Sequence, residues 1–542
     1  MSDSLRVRDS VGIGDSFAGT GTLLGLAWRR DRWIVVASVL ALVATAYGSM
    51  AATLDLYPTD AAAAGGAAAM VDNPSLTALY GPLPSATVAG IGVLKTVMMG
   101  SLATAFLAFA LVRRHTRSEE EDGRLELLAA GVVGRRAPLA AAVALASLTV
   151  LGTGLLSALS LLATGVDAVG SFALGAVEVV AGLVMTGVTA VAVQLTSTTR
   201  GAGGIAIGVL GLAFVIRATA DTATGAGRDL AWLSFLGWAE KVSPYGANRL
   251  WLVVPAVVAT ALLLAVADAL LHRRDLGSGL WAARPGPARA AARLGTPFGL
   301  AWRLQRGSLL GWTIGYAVLG LVIGNIASSV DQIADSPDVE EMLRKMSGGQ
   351  GSLLDAFFGT ELRFLAVGAA AYGIATALRL RSEENAGRGE IVLATPVSRW
   401  RWLASHLVIA GAGSVWLLTV VGVAAGVAAG SVSTTGVAEL LPAALATAPA
   451  VLVCVGLTLL LFGLVPRLST AAWAVLAVFV VLGEFGALLS LPGWALGLSP
   501  FDHLGSLPGG DPNAAGLVGL LVVAALVAAV GATAFRRRDL AT

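Results

Sequence analysis

Apolar runs of roughly 20 residues, each long enough to cross a hydrocarbon core, follow one another along nearly the whole chain. They fall at 33–53, 89–112, 137–164, 172–194, 201–217 and 251–271, and again at 308–330, 362–380, 402–430, 437–463, 469–490 and 514–534. Inside a bilayer every backbone N–H and C=O must be satisfied by the protein itself, so such runs fold as helices or as a closed barrel. The short alternating segments of a barrel are absent. Only 13% of the residues are charged and the mean hydropathy is +0.79, whereas soluble domains carry about 25% charge. The expected fold class is therefore an all-α polytopic membrane protein with twelve transmembrane helices.

The charges orient it. With both termini inside, 28 of the 36 Lys and Arg fall in cytoplasmic segments, as the positive-inside bias requires. The first 32 residues hold five arginines and no apolar core of a cleavable signal. The stretch 54–88 has no Lys or Arg and is expected as an external loop, and 218–250 as a polar segment with a short re-entrant or surface helix. Arginine greatly exceeds lysine and alanine abounds, a usage associated with GC-rich bacterial genomes. The expected location is a bacterial cytoplasmic membrane. The small net charge of +2 gives no ground for a nucleic-acid partner.

The pattern of spans occurs twice. GTGTLLGLAWRR from Gly19 is echoed by GTPFGLAWRLQR from Gly295, VSPYGA at 242–247 by LSPFDH at 498–503, and HRRDL at 272–276 by the terminal RRRDL. This predicts a first half at 1–275, a cytoplasmic linker at 276–294 and a second half at 295–542. An even number of spans per half makes them parallel six-helix repeats. The tryptophan- and arginine-bearing stretch before each first span predicts an interfacial helix.

The most polar part of each half is a copy of one charged stretch, SEEEDGRLELLAAGVVGR from Ser118 and SEENAGRGEIVLATPVSR from Ser382. Both lie between the second and third spans. Ser118 with Glu121 fits a capping box, and acids at a helix start suit the macrodipole. Each copy thus predicts a short amphipathic helix, acidic at its beginning. It either frames the loop, with its acids paired to neighbouring arginines, or meets a partner. The chain has no GxxxxGK[ST] loop to cradle phosphate. A lone cysteine, Cys454, and scattered histidines offer no metal-ligand spacing.

Two six-span halves, the stretch before each first span, and the paired EE-x-x-G-R-x-E pattern resemble the fused permease subunits of actinobacterial ABC-type exporters, the polyketide-antibiotic and multidrug exporter family. That resemblance covers nearly the whole chain. It implies a permease for hydrophobic or amphipathic compounds, energised by a separate ATPase dimer that binds ATP and Mg while this chain needs no cofactor and catalyses nothing. It also implies that Glu119, Glu120, Glu121, Arg124 and Glu126, with Glu383, Glu384, Arg388 and Glu390, contact the ATPase as coupling helices. The second copy departs at Asn385, Ala386 and Gly389, so the two docking sites are expected to differ in strength.

Ionisable residues within spans are costly and mark candidate substrate paths, though many are paired structural groups. Here they are Lys95, Glu178, Arg217 and Glu484. Aligning the fifth and eleventh spans brings Arg217 and Glu484 within one residue of equivalence, so they are either an ion pair or a pair facing a central path. Gly203 and Gly204 are read as a site of close helix packing. The competing class is a proton-coupled twelve-span carrier, whose loop pattern GxxxDxxGRR is missing here.

Overall fold

A computed structural model describes residues 16–71, 74–129, 131, 133–223, 225–275, 277–281, 288–334, 353–431, 433, 435–485, 492–505, 507–510 and 513–539. Among these, every regular element is a helix. The chain forms two compact units, Met1–Gly286 and Pro287–Thr542.

The first unit contains α1 (Thr20–Leu56), α2 (Val88–Arg113), α3 (Ala137–Leu162), α4 (Ala168–Leu195), α5 (Thr199–Thr222) and α6 (Val253–Leu271). Polar caps start three of them: the side chains of Thr87, Asp167 and Thr198 accept from the amides of Gly90, Gly170 and Gly201. α4 is the hub, packed by α2, α3, α5 and α6 and buried on nearly every side. α1 and α6 leave many leucines and valines exposed, as helices facing an apolar solvent do.

The second unit contains α7 (Pro297–Ala334), α8 (Leu353–Ala377), α9 (Arg399–Ala429), α10 (Val437–Leu464), α11 (Ala472–Phe485) and α12 (Ala514–Arg537). α10 is interrupted at Thr447, between Pro442 and Pro449. Its packing repeats the first unit's: α7 lies on α9 as α1 lies on α3, α8 on α10 as α2 on α4, and α12 on α10 as α6 on α4.

Among the described residues, eleven helices are long and apolar enough to cross a membrane. The remaining expected span, 469–490, is described as the 14-residue α11, and 486–490 lie outside the described residues.

Three local expectations change. The stretch expected as a separate interfacial helix runs without a break into the first span, giving the 37-residue α1. No Gly or Pro lies between Leu26 and Tyr47 to interrupt it. Asp31, the acid in its charged part, is buried and paired with Arg114 (2.7 Å) and His115 (2.9 Å). α7 is continuous in the same way. The stretch 54–88 is not a bare loop: it holds helices Asp60–Val71 and Pro74–Tyr80, because its alanines favour helix strongly enough to carry Gly65 and Gly66. Of the two glycines expected to pack closely, Gly203 does, a Cβ on it falling 3.2 Å from Arg113 Nη1, whereas one on Gly204 would meet nothing; a closer approach lies elsewhere, where a Cβ on Gly463 would fall 2.1 Å from the Gly531 carbonyl oxygen.

Candidate functional site

The charged stretch is built as a continuation of the second span. Beyond Arg113 the chain makes a π-turn, Arg114–Ser118, then one α-turn, Glu119–Glu121. Such turns re-aim side chains within a helix. Gly123 breaks the helix at φ 74°, a left-handed conformation that costs glycine nothing, and a six-residue helix, Arg124–Ala129, follows. In the second unit Arg379–Asn385 continues from α8, Gly387 takes φ 68°, and Arg388–Leu393 follows. Each copy is an elbow.

Ser118 therefore lies within a helix and caps nothing. The acids expected at a helix start sit at a helix end, where the macrodipole opposes them. Arginines compensate. Glu119 pairs with Arg30 and with Arg124 (2.9 Å), and Glu383 pairs with Arg379 (3.1 Å) and Arg388 (2.7 Å).

Glu120 and Glu384 are buried, 5% exposed each, which removes them from any surface a partner could touch. Glu120 receives two bonds from Arg274, to Oε1 at 2.5 Å and Oε2 at 3.0 Å, and Glu384 receives two from Arg538, at 2.6 and 2.7 Å. Both pairs span 154 residues. Each elbow is thereby tied to the chain just beyond the last span of its unit. A third arginine completes the arrangement at the start of the third span: Arg135 donates to the Arg274 carbonyl (2.5 Å) and Arg399 to the Arg538 carbonyl (2.6 Å). The echo of HRRDL and RRRDL made Arg274 and Arg538 visible as a repeat, but their partner could not be read from spacing.

The surface left to a partner is smaller than the nine residues expected. It comprises Glu126 and Leu127 in the first unit and Glu390 and Ile391 in the second, with Leu127 79% and Ile391 72% exposed, together with Glu121, Arg124 and Arg388. Glu121 Oε2 also accepts from the Thr199 amide (2.7 Å) at the start of α5; Asn385 stands at the corresponding position of the second copy.

The charges expected within spans are scattered. Lys95 is exposed and lies 5.9 Å from the Tyr80 ring. Glu178 is buried in α4 and accepts from Ser157 (3.2 Å). Arg217 is fully buried in its own unit, bonded to Asp221 (3.1 Å) and to the carbonyls of Ala78 (2.9 Å) and Leu79 (3.2 Å), with Glu240 3.5 Å away. The Glu484 side chain lies outside the described residues. Burial and the neighbouring Asp221 push the Glu240 carboxyl well above the usual carboxylate range. Among the described residues, no group of His, Cys, Asp and Glu is placed to hold a metal ion.

Repeated bundles of membrane-length apolar helices, each closed at one end by a charged elbow, define a multi-pass helical membrane protein. Over 536 residues, 97% of this chain and 96% of the relative, the sequence is 41% identical to the multidrug efflux system permease protein Rv1217c of Mycobacterium tuberculosis. The family model described as multidrug efflux system permease Rv1217c, C-terminal domain, matches residues 294–536. The chain belongs to this permease family.

Proposed function

We propose that the chain is the membrane-spanning subunit of an ATP-driven ABC exporter for hydrophobic or amphipathic compounds such as antibiotics and drugs. Helices Arg124–Ala129 and Arg388–Leu393 act as its coupling helices, each seated on one subunit of a separate ATPase homodimer that binds ATP and Mg. Both termini face the cytoplasm. The observation that carries this reading is the recurrence, in both units, of a short helix presenting an exposed carboxylate beside an exposed apolar side chain, Glu126 with Leu127 and Glu390 with Ile391. A docking surface needs both, an apolar contact for affinity and a charge for register. The efflux function named for the Mycobacterium tuberculosis relative agrees with it.

Reversing charge at Glu126 and Glu390 together is expected to abolish co-purification of the ATPase and drug efflux while the permease keeps its melting temperature. Unchanged complex and unchanged efflux in that double variant would sink the proposal. The proton-coupled alternative rests on one feature, Glu178 within α4, whose Oε2 accepts no hydrogen bond from the described residues. Efflux stopped by an uncoupler but not by vanadate would favour it.

A further inference from the structure

The elbow pairs do more than neutralise buried charge. Arg274 is a junction of four segments: its guanidinium holds Glu120 at the end of the second span and Gln194 at the end of α4 (2.7 Å), its carbonyl holds Arg135 ahead of α3, and its own backbone continues α6. Glu120 also accepts from the Gly277 amide (2.6 Å), which fixes the chain leaving α6 against the elbow. Arg117, buried beneath, pairs with Glu120 (3.0 Å) and donates to the Val193 carbonyl. In the second unit Arg538 repeats the grip on Glu384 and on Arg399, with its guanidinium beside the stacked rings of Phe462 and Phe535, 5.0 and 5.1 Å from their centroids.

Two considerations separate a transmitting role from a merely stabilising one. A buried ion pair is poor value as stabiliser, since apolar replacements of like volume are often as stable. A two-toothed Arg–carboxylate bond, however, fixes distance and angle together, which a flexible ammonium does not. The pair also sits where a six-residue surface helix, too short to push a span by itself, meets the end of a membrane-length helix.

We infer that Glu120–Arg274 and Glu384–Arg538 are the links through which movement of each coupling helix is passed to α6 and α12, with Arg135 and Arg399 as positioning residues that brace them. This rests on the ATP-driven reading.

The test is the double variant Arg274→Lys with Arg538→Lys in the complete transporter, which keeps both charges and removes the fork. Co-purification of the ATPase, vanadate-sensitive ATP hydrolysis, ethidium efflux and melting temperature are measured together. The expected result is an intact complex that hydrolyses ATP, with ethidium exported per ATP reduced roughly three- to thirtyfold. A merely structural pair would instead lower the melting temperature and all activities together, and that result, or an unchanged export-to-hydrolysis ratio, overturns the inference. Should Lys prove unstable at either site, the exchange Glu384→Arg with Arg538→Glu restores the pair in reverse; export recovered relative to Arg538→Glu alone supports the link, and no recovery in a folded protein overturns it. Vanadate-resistant efflux by the unmodified protein would instead defeat the ATP-driven reading itself.

Discussion

Arg217 and Asp221 lie one helical turn apart at the end of α5, their Nη1 and Oδ2 atoms 3.1 Å apart and both side chains nearly inaccessible to solvent. The guanidinium is also the terminus for three carbonyls, of Thr77, Ala78 and Leu79, at the end of the short helix Pro74–Tyr80. Those carbonyls are the negative end of a helix and need a donor. Arg217 thus fastens the segment between α1 and α2 to α5. Arg217→Leu is expected to destabilise the protein by about 3–5 kcal/mol, because Asp221 is left buried without its cation and the three carbonyls without their donor. Thermal unfolding in detergent measures it, and adding Asp221→Leu to that variant should recover part of the loss.

Glu240 gives this cluster a pH dependence. Arg217, Asp221 and Lys241 all act on its carboxyl, and burial with Asp221 prevails, raising its proton affinity above that of the unfolded chain. A group whose folded pKa is raised contributes stability that is complete below the unfolded pKa and is lost as pH rises through the folded one. Stability should therefore fall between mildly acidic and alkaline pH. Glu240→Gln, which imitates the protonated form, should flatten that slope and melt higher at alkaline pH; an unaltered slope would refute the assignment.

The two elbows should differ at one position. Glu121 accepts from the Thr199 amide, a first-turn N–H of α5 that has no partner within the helix. Glu121→Ala is expected to cost about 1 kcal/mol, with faster amide exchange confined to the start of α5. Asn385→Ala, at the corresponding exposed position, should change neither stability nor exchange.

How far the sequence could be read follows from the range of the forces involved. Span positions were legible because hydrophobic length is a local property, and the duplication because charged residues are so few that their repetition stands out. The direction of the acidic turn is not legible from its own residues. SEEED scores as a helix start when taken alone, but the second span continues through it, where the charges at and just before the stretch, Glu119, Glu120 and His115, meet Arg30, Arg274 and Asp31, all distant in sequence. For the same reason Glu120 and Glu384 look like surface acids until the arginines 154 residues away are in place. Arg217 has its partners close by, in Asp221 and Glu240, which alignment of the two halves does not reveal.

Close packing of helices was the least legible feature, since it depends on which glycines face each other. Gly463 on α10 and Gly531 on α12 do so: a Cβ on the first would fall 2.1 Å from the Gly531 carbonyl oxygen, and one on the second 2.6 Å from that of Leu459. Both obstacles are backbone, so neither can rotate away, and the helices must part. Gly463→Ala is expected to destabilise the second unit by about 1–3 kcal/mol, and Gly463→Val by more. The damage should reach beyond packing. Arg538, which follows α12, holds Glu384, so displacing α12 against α10 should loosen the second elbow and raise amide exchange across Arg388–Leu393. Gly204→Ala is the control, because a Cβ there meets nothing within 4 Å and an exposed helical glycine gains stability on becoming alanine, by about 0.5–1 kcal/mol. If Gly463→Ala were as well tolerated as Gly204→Ala, the contact between α10 and α12 would have to be looser than these distances describe.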